Sequence, residues 1–191
     1  MTSVYLFVPN LIEYLRLVLI VIAYFIFEDV IPFLVVIGFT AILDFIDGYV
    51  ARRLNQVSAF GAWLDVLVDN VARGMVWSRI LPWGCFVSAL EWTVFVCTHS
   101  SGSKWREAFK HAPWWVQAVM AKGFKTSQGT LVTLGLHVLP LWIYGWQRIE
   151  APLWFALTGF SILLAGRLLA FAVEIWCILT HLNFLVAEER K

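Results

Sequence analysis

Charge is scarce in this chain. Asp, Glu, Lys and Arg make up 14% of its 191 residues, and the net charge is +1. A nucleic-acid partner is therefore not expected, since that function needs a basic patch with interleaved aromatic residues. Cysteine is rarer still. Cys85, Cys97 and Cys177 are odd in number, widely spaced and set in apolar runs, so they form neither a disulfide framework nor a zinc pattern and read as small buried hydrophobes. No Asn-x-Ser/Thr acceptor occurs. The opening MTSVYLFVPN has no positive n-region and no small-residue cleavage site, so no signal peptide is expected. His111, His137 and His181 are scattered and do not read as metal ligands. No internal repeat is visible.

What fills the chain is hydrocarbon. It is 61% hydrophobic with a mean hydropathy of +0.78, whereas soluble domains sit near about 45–50%. The composition predicts an all-α integral membrane protein forming one domain over residues 1–191, with its 11 Trp and 15 Phe suited to bilayer interfaces. Six transmembrane helices of about 20 residues are expected: Leu6 to Phe27, Ile31 to Arg52, Ser58 to Leu81, Cys85 to Thr98, Thr130 to Trp146 and Leu153 to Leu179. Pro82, Trp83 and Gly84 mark a turn. Residues 99–129 form the one long polar stretch. Within it WREAFKHAPWWVQAVM is expected to be an amphipathic interfacial helix with Trp105, Trp114 and Trp115 at headgroup level. A polar tail ending EERK follows the sixth span.

Six spans put both termini and the loops after the second and fourth helices on one side. That side holds Arg52, Arg53, Lys104, Arg106, Lys110, Lys122, Lys125, Arg190 and Lys191, against Arg148 and Arg79 opposite. The positive-inside rule makes it cytoplasmic.

Four carboxylates interrupt the apolar sequence between the second and third spans. Asp44 and Asp47 are three apart, and Asp65 and Asp69 are four apart. On a helix each spacing puts its pair on one face. The polar segment RRLNQVS between them reads as a hydrated turn, so a helical hairpin brings both pairs to one depth near the cytoplasmic interface. Ionised carboxylates in hydrocarbon cost several kcal/mol each by roughly any insertion scale. Arg52 and a wet loop cannot balance four of them, and a divalent cation is implied. Oxygen donors select hard cations, Mg²⁺ or Mn²⁺, and four carboxylates suit a two-metal site.

The stretch DFIDGYVARRLNQVSAFGAWLDVLVD carries D-x-x-D-G-x-x-A-R-x8-G-x-x-x-D-x-x-x-D in full, through Asp44, Asp47, Gly48, Ala51, Arg52, Gly61, Asp65 and Asp69. It resembles the signature of the CDP-alcohol phosphatidyltransferases. LFVPNLIEYLR near the start and RRLNQVSAFGAWLD in the centre resemble the phosphatidylinositol synthases of that family. The resemblance implies a single CDP-alcohol phosphatidyltransferase membrane domain that moves a phosphatidyl group from CDP-diacylglycerol to an alcohol, myo-inositol in the nearest branch, with release of CMP. It implies Asp44, Asp47, Asp65 and Asp69 as metal ligands, with Asp69 also the general base. Gly48, Arg52 and Ser58 are implied to contact the lipid nucleotide, and Asn10 and Arg16 to line its pocket. A homodimer is expected by the same resemblance, as is an endoplasmic reticulum membrane if the chain is eukaryotic. A different acceptor, such as glycerol phosphate, another polyol or an aminoalcohol, stays open, and so does a non-catalytic lipid-nucleotide-binding relative.

Plainer readings stand beside these. Ser58 before AFGAWLD also fits a helix N-cap, and Arg52 a snorkelling interfacial arginine. Glu13 and Arg16, three apart, fit a local salt bridge as well as a ligand role. Glu91, Arg167 and Glu174 lie in spans outside the signature, and Arg167 with Glu174, seven apart, reads as a structural pair. His99 and Ser100, with Lys122 and Lys125 after the interfacial stretch, are candidates for the acceptor side. The alternatives are a polar helix end for His99 and surface basics attracted to anionic lipid for the lysines.

Overall fold

A computed structural model describes residues 3–99 and 109–189. The interfacial residues Trp105, Lys104 and Arg106, the pair Ser100 and Ser101, and the terminal Arg190 and Lys191 lie outside the described residues. The fold is all-helical among the described residues: a single 3-10 turn at Val4–Leu6, then α1 (Val8–Phe25), α2 (Val30–Arg53), α3 (Ala59–Ile80), α4 (Gly84–His99), α5 (Trp114–Met120), α6 (Ser127–Arg148) and α7 (Leu153–Glu188). The chain forms two compact units, Met1–Met75 and Val76–Lys191.

In the first unit α1 packs on α2. Pro9 sits in the first turn of α1, where its missing N–H costs nothing. The orphan N–H of Val8 donates to Gln56 Oε1 at 2.8 Å, so the α2–α3 link closes onto the start of α1. That link is short because Asn55 adopts a left-handed conformation (φ 54°), a region Asn tolerates better than most residues. Ser58 then caps α3, its Oγ accepting from Gly61 N at 2.9 Å. Ile20, Leu64 and Val68 are buried together, with Tyr14, Leu17 and Phe60 against them.

In the second unit α7 packs on α6 and α4, and α5 packs on α6. At the α6–α7 crossing a Cβ on Gly135 would lie 2.3 Å from Arg167 N, and one on Gly166 2.1 Å from Leu131 O. Only paired glycines let the two backbones meet there, the small-residue device of helix packing in membranes. A core of Phe109, Ala112, Val116, Val119, Val132, Ala170, Val173 and Cys177 lies under α5.

The expected helices occur with boundaries shifted by a few residues, the end of the last one excepted. Three of them, α1, α2 and α7, are long and apolar enough to cross a membrane. α4 has only 16 residues, and α3 carries Asp65, Asp69, Arg73 and Arg79. Two expectations need correction. The described part of the interfacial segment is not one helix: residues 109–111 form a 3-10 turn, Pro113 breaks the chain, and α5 is only 7 residues long. The segment also sinks Val116 and Val119 into the unit's core, and of Trp114 and Trp115 it leaves Trp114 exposed and Trp115 half-buried. Nor does the last helix stop at Leu179. It runs to Glu188 over 36 residues, roughly 54 Å at 1.5 Å per residue, because THLNFLVAEE contains no Gly or Pro to end it.

Candidate functional site

α1, α2 and α3 bring their carboxylates together around one guanidinium. Arg16, buried on α1, donates from Nη1 to Glu13 Oε1 at 2.7 Å. The same nitrogen lies 2.7 Å from Asp44 Oδ1, 3.6 Å from Asp47 Oδ2 and 3.5 Å from Asp65 Oδ1. Nη2 donates to Asp69 Oδ1 at 2.7 Å. Arg73, one turn beyond on α3, sits 3.5 Å from Asp69 Oδ2 and also donates to Asn70. The four signature aspartates, set on two helices by the i, i+3 and i, i+4 spacings, thus converge within the first unit.

The cluster has a closed side and an open side. The side chains of Glu13 and Asp47 are 3% and 10% exposed, those of Asp44 and Asp65 34% and 46%. One carboxylate oxygen from each of these four residues lies within 4.8 Å of the others. Glu13 Oε2 and Asp47 Oδ2 are buried with no donor group of another kind to satisfy them, and the two carboxyl groups lie within hydrogen-bonding reach of each other. Like charges this close repel by several kcal/mol at any interior dielectric of order 20, and two guanidiniums do not balance five acids. An all-oxygen donor set with buried unsatisfied oxygens fits a hard divalent cation.

The residues implied to meet the lipid nucleotide lie on α1, on α2 and at the start of α3. The Arg52 guanidinium folds back over Gly48, so that a Cβ there would lie 3.4 Å from Arg52 Nη1. The fork of an exposed arginine thus lies against bare backbone next to Asp47. Asn10 is buried, donates to Val4 O at 2.6 Å, and aims Oδ1 at α3 so closely that a Cβ on Gly61 would be 2.8 Å away. Gly61 is thus the gap into which Asn10 fits. Ser58 acts as the helix cap, as its alternative reading held.

His99, Lys122 and Lys125 lie in the second unit. The His99 ring nitrogen contacts Phe95 O at 3.2 Å, and the ring packs on Phe95 at 4.5 Å between centroids. Lys122, Gly123 and Phe124 all have positive φ, a tight left-handed turn that leaves Lys122 and Lys125 exposed. Arg167 is the expected partner of Glu174, donating from Nη1 to Oε2 at 2.7 Å, and its Nη2 lies 3.7 Å from Glu91 Oε1. A cavity of about 730 Å³ beside it is walled by hydrocarbon, including Leu139, Ile143, Leu164 and Phe171, and no carboxylate among the described residues lines it.

Glu13 is the member of the cluster that reading the signature alone misses. Its signal is local: an acid three residues before Arg16 on an apolar helix, a spacing that fits a salt bridge equally well.

A family model for CDP-alcohol phosphatidyltransferase matches residues 6–187. CDP-diacylglycerol–inositol 3-phosphatidyltransferase 1 of Arabidopsis thaliana is 45% identical over 71 residues, 37% of this chain and 31% of that protein. A probable second plant form is 34% identical over 125 residues, 60% of this chain and 56% of its own length. CDP-diacylglycerol–glycerol-3-phosphate 3-phosphatidyltransferase of Aquifex aeolicus is 46% identical over 66 residues, 34% of this chain and 37% of that protein. The matched stretch therefore spans between about a third and a little over half of these relatives. No solved structure matches the chain.

Proposed function

This chain belongs to the CDP-alcohol phosphatidyltransferase family, and from that premise we propose that it transfers a phosphatidyl group from CDP-diacylglycerol to myo-inositol, releasing CMP and forming phosphatidylinositol. The observation that carries the reading is the convergence of Asp44, Asp47, Asp65 and Asp69 on one point from α2 and α3. The relatives named for inositol support the acceptor.

Asp44, Asp47, Asp65 and Asp69 would hold the cation. When bound, Mg²⁺ or Mn²⁺ neutralises charge on the attacking and leaving oxygens of a displacement at phosphorus. The protein's own groups do the rest. Gly48 lets the diphosphate approach the α2 backbone, and Arg52 takes a phosphate through its planar fork. Asn10, Arg16 and Ser58 shape the nucleotide's surroundings. Asp69 receives the proton of the acceptor hydroxyl as its oxygen bonds to the β-phosphorus. The bond from that phosphorus to the bridging oxygen breaks, and CMP departs with the electron pair. The same reading makes the chain a six-span homodimer with its acid cluster facing the cytoplasm, in the endoplasmic reticulum membrane if the source is eukaryotic.

The Aquifex relative favours a second acceptor, glycerol phosphate. The deciding assay follows CMP release by purified protein given CDP-diacylglycerol, Mg²⁺ or Mn²⁺ and a panel of alcohols. Inositol-dependent release is expected. Release with glycerol phosphate alone would move the acceptor, and tight CDP-diacylglycerol binding without release with any alcohol would leave a non-catalytic relative.

A further inference from the structure

Glu13 stands outside the D-x-x-D…D-x-x-x-D signature and on a different helix from all four aspartates. It is nevertheless among the most deeply buried charged residues described, 2% exposed on α1. Its two oxygens have different surroundings. Oε1 accepts from Arg16 Nη1 at 2.7 Å. Oε2 is buried and meets no basic or amide donor, only the neighbouring Asp47 carboxyl lying within hydrogen-bonding reach of Glu13. The Glu13 carboxylate forms a four-membered group with Asp44, Asp47 and Asp65, each offering an oxygen within 4.8 Å of the others.

A salt bridge alone does not explain this placement. An i, i+3 pair on a helix is satisfied at the surface, where it contributes a few tenths of a kcal/mol by order of magnitude. Burying the pair is costly unless every lone pair and proton finds a partner, and Arg16 is already shared among four signature aspartates. Adding a fifth carboxylate to a crowd of like charges is unfavourable as architecture. It becomes favourable when a cation is to be held, because affinity for hard cations rises with the number of charged oxygen ligands.

We infer that Glu13 is a fifth carboxylate of the cation site, supplying with Asp47 its buried flank, while Asp44 and Asp65 form the flank that opens outward. The inference rests on the cation-dependent reading above. It assigns to α1 a direct part in cation binding, in addition to the nucleotide-pocket role implied for Asn10 and Arg16.

The test is Mn²⁺ binding to the full-length protein in detergent, read as loss of the free-ion paramagnetic resonance signal, with no substrate present. Glu13→Gln keeps the shape and removes the charge. It is expected to weaken Mn²⁺ binding about tenfold or more, the scale at which groups supporting a metal site act, and Glu13→Asp is expected to fall between it and the parent. Asp47→Asn serves as the reference, since its affinity falls if the acid cluster holds the ion at all. Parent-like affinity in Glu13→Gln alongside a loss in Asp47→Asn overturns the inference and leaves the cation reading intact. Parent-like affinity in both overturns the cation reading itself. Should Glu13→Gln fail to fold, Glu13→Asp decides the matter: weakened binding supports the assignment, and unchanged binding rejects it.

Discussion

Among the described residues there are two groups of buried charge, one in each unit, and they are built differently. In the second unit Arg167 donates from Nη1 to Glu174 and holds Glu91 by charge alone, Nη2 lying 3.7 Å from Oε1, so each acid faces a different nitrogen. All three side chains are at most 10% exposed. In the first unit four carboxylates, those of Glu13, Asp44, Asp47 and Asp65, crowd the single Nη1 of Arg16, and Asp44 and Asp65 reach the surface. Each group places charge where charge is costly. The first is oversubscribed and open on one side, so it can accept further positive charge and admit a substrate. The second is closed on all three side chains and has fewer acids per guanidinium, as a structural tie between α4 and α7 should be. The contrast lies in how acids are distributed over nitrogens and in access, and these separate chemistry from architecture more sharply than the presence of charge.

The strongest way to break the contrast is to neutralise one acid of the first unit's cluster and find that chemistry survives. Asp69→Asn is expected to lower turnover by roughly 100- to 10,000-fold, the range of general-base contributions, with CDP-diacylglycerol affinity and unfolding midpoint nearly unchanged. Parallel loss of nucleotide binding and turnover would contradict the assignment of Asp69 as base and make it a ligand only. Chelation by EDTA should abolish CMP release in the parent protein, with Mg²⁺ or Mn²⁺ restoring it.

The matching perturbation in the second unit should have the opposite profile. Arg167→Met leaves Glu91 and Glu174 buried without their guanidinium, a change that costs about 3–5 kcal/mol when a buried pair is broken. Stability against denaturant should fall by that order while turnover per folded molecule stays within about twofold of the parent. Adding Glu91→Gln and Glu174→Gln should recover part of the loss, since a neutral buried cluster no longer carries unpaired charge. A collapse of turnover at unchanged stability would move Arg167 from architecture into the reaction.

How far the sequence reaches differs between the same two regions. The hairpin of α2 and α3 is legible because spacing alone puts Asp44 with Asp47 and Asp65 with Asp69 on one face each, and because RRLNQVS is too polar to continue a buried helix. The hydrophobic runs likewise place the other long helices to within a few residues, except at the C-terminal end of α7. Glu13 is not legible as a cluster member, because nothing local distinguishes a salt bridge to Arg16 from a position that three helices close upon. The same is true of Glu91, which meets Arg167 across α4 and α7 at a separation no periodicity encodes. The interfacial segment misleads for a further reason. WWVQAVM has the amphipathic pattern of a surface helix, yet Pro113 shortens it and its apolar face finds Val132 and Ala170. The long α7 misleads because terminal polarity suggests an end that helix propensity does not require.

The smallest effect worth measuring concerns Ser58, where a structural and a functional role share one hydroxyl. Its oxygen accepts from Gly61 N, satisfying one of the orphan donors at the start of α3, and its proton is left to donate elsewhere. Ser58→Ala removes both, Ser58→Asp keeps an acceptor without the proton, and Ser58→Thr keeps both. Loss of the cap alone should cost about 1 kcal/mol of stability, and Ser58→Asp and Ser58→Thr should each recover most of it. If the hydroxyl also donates to the lipid nucleotide, KM for CDP-diacylglycerol rises severalfold in Ser58→Ala, stays raised in Ser58→Asp and returns in Ser58→Thr, the outcome expected here. A KM that follows stability through all three variants would reduce Ser58 to a cap. In either case the mouth of α3 stays fixed relative to Asp65, two turns on, because the cap sets where that helix begins.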